Sequence, residues 1–357
     1  MFEELCAWDN LLLACRLAAK GKRGHENVAS FEHRLEDNLV TLRRDLLART
    51  YRPGPYTSFW IHEPKRRLIS AAPFRDRVVH HAICNVIEPI FERTFITDSY
   101  ANRAGKGTHR ALARAQLLAR RYRYVLQVDV RQFFPSVDHA ILEAHIAAKV
   151  DNRDVLALVD EILKSGDGVQ GDVYEMTFFP GDNLLSVLRP RGLPIGNLTS
   201  QFWANVYLNP FDHFVKRELG CTGYVRYVDD MLLFGDDKRR LWDWRTAIAG
   251  RLAALRLSVH PGAHPRPVTE AIPFLGFVVF PQRRRLKRRK GIHFQRRLSG
   301  LIRDHAERRR PVTEISATVA GWVNHVRFGN TVGLRKAVLH RAVVRPSRSR
   351  DTHVGSR

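Results

Sequence analysis

The chain is poor in cysteine, in methionine and in negative charge. Its four cysteines, Cys6, Cys15, Cys84 and Cys221, are scattered with no Cys-x-x-Cys pair, so neither a disulfide framework nor a zinc site is expected. No apolar run approaches the roughly 20 residues that cross a bilayer. The start, MFEELCAWDN, lacks the basic-then-apolar order of an export signal. A cytoplasmic setting without membrane contact is the expectation. No internal repeat is present. Asp plus Glu number 36 against 59 Lys plus Arg in 357 residues, a formal net charge of +23. Such an excess suits a polyanion, of which nucleic acid is the commonest, and implies binding that weakens with salt. A merely soluble basic surface is the alternative that charge leaves open.

At 357 residues the chain exceeds one compact core, and two or three lobes are expected. Residues 8–20 and 31–50 carry apolar positions at helical spacing, and YRPGPY then interrupts it. A strand pair around Pro64 leads into an amphipathic helix from about Asp76. Lys65, Arg66, Arg67, Arg75 and Arg77 crowd its front, either as a solvated basic face or as a hold on phosphates. YVLQVDV, residues 124–130, reads as a buried strand with Asp129 at its tip, followed by a turn at Pro135 and a helix capped by Ser136 or Asp138. Residues 166–190 offer no period and read as an irregular insertion or hairpin. A Gly/Pro turn then leads into a helix capped by Thr199 or Ser200. Trp203, Tyr207, Phe211 and Phe214 face its core, and Pro210 kinks or restarts it. A helix over 238–257 and a strand IPFLGFVVF follow. RRRLKRRK, residues 283–290, holds seven cations in eight positions. The next helix keeps Leu298, Leu301, Ile302 and His305 on one face and most arginines off it, which makes a candidate backbone clamp.

YVRYVDDMLLFGDD places Asp229 and Asp230 side by side between two strand-like runs. Like charges partly removed from water repel. A divalent cation removes that cost, and Mg²⁺ prefers carboxylate oxygens completed by water and substrate phosphates. Two such ions about 4 Å apart serve in-line phosphoryl displacement. A further carboxylate from a neighbouring strand is then needed, and Asp129 is the best placed. Asp236 and Asp237 read as a turn into the next helix.

YVDD between apolar strands, preceded by LQVDVRQFFPS and by GLPIGNLTSQ, resembles the palm of reverse transcriptases. The order of the remaining segments is similar too: PKRRLISAAPFRDRVVHHAICNVIEPIFE resembles the fingers motifs, SYANRAGKGTHRAL the template-contacting motif, IPFLGF the primer-grip hairpin and GWVNHVRFGNTVGLRK the C-terminal helix of bacterial enzymes of this kind. The likeness covers roughly residues 8–340. It implies an α+β, right-hand polymerase fold. An N-terminal helical extension would span 1–50, fingers 51–123, and a palm of antiparallel sheet with helices on one face 124–282, including the insertion at 166–190. A basic helical thumb would span 283–342 and a disordered tail 343–357. The roughly 75 residues after the palm leave no room for an RNase H or endonuclease domain. Ile195 to Gln201, IGNLTSQ, stands where most reverse transcriptases carry Gln before the glycine and a later Ser-Pro. That form resembles enzymes of diversity-generating retroelements, which copy a template RNA while misincorporating opposite adenine. A retron, group II intron or defence-type enzyme of ordinary fidelity is the alternative. A third possibility is an RNA-binding maturation factor without turnover, against which the intact Asp triad and Phe134 argue.

The resemblance implies a bacterial, phage or prophage-encoded RNA-directed DNA polymerase in the cytoplasm. It would use two Mg²⁺ ions, or Mn²⁺ in their place, on Asp129, the backbone carbonyl of Val130, Asp229 and Asp230. Template RNA, cDNA or primer, dNTPs and a small, basic, helical, oligomeric accessory protein are the implied partners. Phe134 takes the steric-gate position, where a ring beneath the sugar clashes with a ribose 2′-OH, while Phe133 packs. Lys65, Arg66 and Arg67 meet the triphosphate and its base. Arg67 and Ile195, beside Gly196, set selectivity, since an aliphatic side chain cannot hydrogen-bond as Gln does. Gln201 orders the turn or touches template. Tyr227 packs against the primer end or within the sheet. Arg283, Arg284, Arg285, Lys287, Arg288, Arg289 and Lys290 are expected on nucleic acid. Relatives often carry a Lys after LHP. Here VHPGAHPRP supplies Ala263, with His264, Arg266 or no residue in its role.

Overall fold

The computed structural model describes residues 1–62, 66–340 and 342. Lys65 and the tail at 343–357 lie outside the described residues. The chain divides into two compact units. One comprises Met1–Gly107 and Leu126–Pro265, and the other Thr108–Val125 and Arg266–Arg357. The fold class is α+β.

In the first unit, helix Trp8–Ala19 packs on helix Phe74–Glu92. Leu11, Ala14, Ala18, Val78, Ala82 and Ile83 are buried there. Asn10 ties the pair by donating to the Ala82 carbonyl at 3.1 Å. The expected single helix over 31–50 is two, Glu26–His33 and Leu35–Leu47, because Arg34 leaves helical geometry at φ −120°, ψ 48°. The helix expected from Asp76 begins at Phe74 behind Pro73, whose fixed φ suits a helix start. The unit's main buried helix, Leu198–His213, fully buries Trp203, Tyr207 and Phe211. Each such ring contributes about 1.5–3 kcal/mol. Pro210 is absorbed within it, and a π-helical turn, Phe214–Glu218, follows directly.

The strands are β1 (Thr57–Ile61) and β2 (Arg67–Ala71), an antiparallel pair, and β3 (Tyr124–Asp129), β4 (Gly223–Tyr227), β5 (Asp230–Gly235) and β6 (Pro265–Pro267), ordered β4-β5-β3-β6. In the second unit β7 (Ile272–Phe274), β8 (Phe277–Val279) and β9 (Arg284–Leu286) form an antiparallel sheet. IPFLGFVVF is thus a hairpin and not one strand. Phe274 pairs with Phe277, and Leu275 and Gly276 between them both take positive φ, as the tightest hairpin loop requires. Helix Arg288–Ala306 buries Phe294, Leu298 and Leu301 against Ile315 and Val338, and Phe294 stacks on Trp322 at 4.1 Å.

The helix ends show which polar residues are structural. Asp138, and not Ser136, caps helix His139–Ala147 by accepting from Ile141 N at 3.1 Å. Asp237 caps helix Lys238–Ala254 through Arg239 N at 2.8 Å, which accounts for the second Asp pair. Neither Thr199 nor Ser200 caps the buried helix. Its preceding residue is Asn197, and Ser200 donates to the Pro194 carbonyl at 2.7 Å.

The segment 166–190 is irregular as expected, with two short 3₁₀ turns, Gly171–Val173 and Leu184–Leu188, yet it is anchored. The wholly buried side chain of Asp182 lies between Arg189, at 2.6 Å, and Arg256. The Gln132 amide holds it from the other side by donating to Val173 O at 2.8 Å and accepting from Glu175 N at 3.1 Å. Asp182→Ala removes the carboxylate that Arg189 and Arg256 share, leaving Arg189 only its pairing with Asp138 at 3.3 Å, and is expected to release this segment. Limited proteolysis should then cut within 166–190 several-fold faster than in the wild type, with the far-ultraviolet circular dichroism unchanged.

Candidate active site

β3 is apolar because it is buried: Val125, Leu126 and Val128 are fully enclosed, and the half-buried Gln127 and Asp129 share one pleat face with Val125. β4 and β5 pair tightly, with Tyr227 opposite Asp230, so that Val228 and Asp229 alone form the loop. β5 neighbours β3, and Gln127 reaches the Asp230 carboxylate at 3.5 Å. The two strands thereby gather carboxylates from positions about a hundred residues apart. Burial, with smaller contributions from the neighbouring Asp129 and Asp230, pushes the Asp229 carboxyl up to about 6 against the opposing effect of its own backbone N–H and Arg67. The structure therefore brings Asp129, Asp230 and Arg67 within electrostatic reach of Asp229. The bridge between Val130 and Val259 takes up the carbonyls of Asp129 and Ser258, not that of Val130.

A second convergence joins β2 to the Gly/Pro turn. Ser70 N donates to Ile195 O at 2.8 Å. Asn197 accepts from Ala72 N at 3.1 Å and donates to Ser70 O at 2.8 Å and Pro194 O at 3.1 Å. A Cβ at Gly196, whose φ is +118°, would stand 3.0 Å from Ile69. Only glycine meets both demands there. Leu193 N donates to Phe134 O at 2.8 Å, which joins the turn to the segment after Asp129. Phe133 is buried beside Tyr207 while Phe134 stays half-exposed.

The other predicted residues divide. Arg67 and Arg66 are exposed, and Arg66 lies over the Trp60 ring at 4.0 Å. Ile195, Gln201 and Tyr227 are half-buried and Gly196 is exposed. Ala263 is buried and its carbonyl accepts from Arg245 at 2.6 Å. In the basic run, Arg283, Arg285, Arg288, Arg289 and Lys290 are exposed. Arg284 and Lys287 are half-buried in the second unit, with Arg284 exchanging backbone and side-chain bonds with Asn330 at 2.7 and 2.9 Å and Lys287 N donating to Gly276 O at 3.1 Å. Sequence reasoning passed over Asn197 and Arg226. A lone cation inside the apolar strand GYVRYV was the available signal for the second. Nothing local marked the first.

Among the described residues no group of three His, Cys, Asp or Glu side chains stands ready by itself to hold a metal ion. Mg²⁺ is ordinarily held by one or two carboxylates, with water and substrate phosphates completing its shell. An open, mutually repelling carboxylate group fits that demand: burial and like charge destabilise Asp229 as an anion, and a cation relieves both.

Sheet, carboxylate hairpin and glycine turn together define a protein of the polymerase-palm class. Residues 61–279, more than half of the chain, match the family model described as reverse transcriptase (RNA-dependent DNA polymerase), and the chain belongs to that family. It is 26% identical over 257 residues to Protein YkfC of Escherichia coli strain K12, covering 68% of this chain and 61% of that protein. Against the group II intron-encoded protein LtrA of Lactococcus lactis subsp. cremoris, identity is 25% over 183 residues, covering 50% of this chain and 28% of LtrA. The structure of apo telomerase from Candida tropicalis superposes with a TM-score of 0.47 at 10% identity, over 64% of this chain and 48% of that one. The chain thus spans less than two thirds of these proteins.

A carboxyl raised on folding favours the folded state while protonated, and that stability is lost as pH rises from the ordinary Asp range through about 6. Asp229→Asn is therefore expected to be more stable than the wild type above pH 6 in chelator, by about 1–3 kcal/mol. Denaturant melts across pH 4–8 check this, the gap closing near pH 4.

Proposed function

We propose that the chain is an RNA-directed DNA polymerase in which Asp129, Asp229 and Asp230, with the Val130 carbonyl, hold two divalent cations, Mg²⁺ or Mn²⁺, against the incoming dNTP. The coupling of Asp229 to Asp129, Asp230 and Arg67, within the matched segment, carries this reading. When bound, the ions activate the attacking hydroxyl and stabilise the leaving oxygen. The rest falls to the chain's own groups. Arg67, with Arg66, meets the triphosphate with fixed planar forks. Phe134 lies under the sugar and excludes a 2′-OH. Ile195 packs beside the nascent pair and offers it no hydrogen bond, so a mispaired base forfeits less there. Residues 51–123 act as fingers, 124–282 as palm and 283–342 as a basic thumb along the template and primer, with 1–50 as a helical extension. No helix among the described residues is long and apolar enough to cross a membrane.

The IGNLTSQ turn favours the diversity-generating type, with errors opposite template adenine and a small basic accessory protein as partner. The match to the intron-encoded LtrA favours the second reading, an intron-type enzyme of ordinary fidelity.

Primer extension on an RNA template with Mg²⁺ and dNTPs, followed by product sequencing, is expected to give cDNA with substitutions concentrated opposite adenine. Ile195→Gln should reduce those substitutions, and Asp229→Ala should abolish incorporation while RNA is still retained on a filter. Errors spread evenly over the four template bases would leave the intron-type reading standing, and extension by Asp229→Ala would overturn the carboxylate assignment.

A further inference from the structure

The loop between β4 and β5 contains a local conflict. A two-residue hairpin loop with positive φ at its first position is the geometry that normally places glycine there. Here that position is Val228, at φ 55°. A β-branched side chain in the left-handed region is a genuine outlier, at a cost of about 1–3 kcal/mol. Something must hold it, and the carbonyl of Val228 belongs to the peptide plane that continues into Asp229. Whatever fixes that plane fixes where the Asp229 Cα stands, and with it the point from which the carboxylate leaves the backbone.

The holder is on the same strand. Arg226 is wholly buried, with its guanidinium forked on the equally buried Asp212 of helix Leu198–His213, at 2.7 Å from Nε to Oδ1 and 2.6 Å from Nη2 to Oδ2. Its remaining nitrogen, Nη1, donates to Asn205 Oδ1 and to the Val228 carbonyl, each at 3.1 Å. Tyr224 completes the Asp212 shell by donating from its hydroxyl at 2.9 Å. The main chain of Arg226 is held as well: its N–H donates to Asp98 O at 2.9 Å, and its carbonyl accepts from Tyr100 N at 3.0 Å. Asn205 in turn donates to Ala101 O at 2.9 Å.

We propose that Arg226, fixed by Asp212 and Asn205, is a positioning residue that locks the Val228–Asp229 peptide plane and so aims the Asp229 carboxylate at the cation site. A buried ion pair is weak evidence for stability, since apolar groups of similar volume often serve as well. An apolar replacement would have no donor for the Val228 carbonyl. The inference rests on the carboxylate reading above and is testable apart from it.

Arg226→Lys keeps a buried cation near Asp212 but loses the fork that reaches two partners at once. Steady-state incorporation and binding of Mn²⁺ alone, followed by electron paramagnetic resonance, are compared for Arg226→Lys with and without Val228→Gly, alongside melting temperatures. The expected result is a roughly tenfold fall in kcat, the scale of releasing the strained turn. The primer-template KM should be unchanged, Mn²⁺ binding weaker, and most of both losses recovered in the double variant, because glycine accepts the turn without a brace. Rate and Mn²⁺ binding that merely follow the melting temperature, with no recovery from Val228→Gly, would overturn the proposal. Should Arg226→Lys fail to fold, Asp212→Asn, which retains a hydrogen-bonding partner for the fork, takes the same measurements with the same two outcomes. Asp229→Ala separates the failures: a dead Asp229→Ala beside a fully active Arg226→Lys sinks the positioning role alone, and an active Asp229→Ala sinks the carboxylate reading and this proposal with it.

Discussion

Carboxylates gathered at the end of one sheet repel one another, and burial sharpens the repulsion by removing the water that would screen it. Asp229 carries the result in its raised affinity for a proton. A site of this kind opposes its own assembly, so the surrounding parts have to impose it. The strand β3 does so by burying Val125, Leu126 and Val128, which leaves Asp129 no choice of address. The hairpin does so through a fully bonded arginine behind the loop. The buried helix Leu198–His213 supplies both the apolar floor, from Trp203, Tyr207 and Phe211, and the anionic anchor, Asp212. Stability made elsewhere in the unit offsets strain concentrated at one turn, a common arrangement at functional sites.

Much of this was legible in the chain because period and residue type agreed locally. Asp129 ends a run of strand formers, the paired Asp229 and Asp230 interrupt another, and Asp237 stands just where a helix needs a cap. The adjacent phenylalanines sort as their order suggested, with Phe133 inward and Phe134 half-exposed. What could not be read has a common physical character, in that it depends on partners distant in sequence. Asn197 directly precedes the buried helix, yet its amide reaches β2 more than a hundred residues earlier. Arg226 looks like a surface cation misplaced in a strand until Asp212 and Val228 are seen around it. The break at Arg34 is a failure of another sort: apolar periodicity continues across it, and only backbone geometry shows the turn.

The basic character of the chain likewise resolves into several kinds of cation. Arg226 is wholly enclosed and neutralised, and Arg189 and Arg256 brace an irregular segment through Asp182. Arg284 and Lys287 are half-sunk into the packing of the second unit, whereas Arg283, Arg285, Arg288 and Arg289 face solvent. Net charge counts all of these equally, although only the solvent-facing ones can exchange counterions for phosphate.

The amide of Asn197 has a consequence for how such a protein can change over generations. Because it binds Ser70 and Ala72 on one side and Pro194 on the other, the strand that presents Arg67 and the turn that presents Ile195 form a single rigid piece. A substitution that shifts one shifts the other. Under the roles proposed for Arg67 and Ile195, speed of incorporation and choice of base are then inherited as linked traits, and lineages that alter fidelity through this turn should carry compensating changes along residues 66–72.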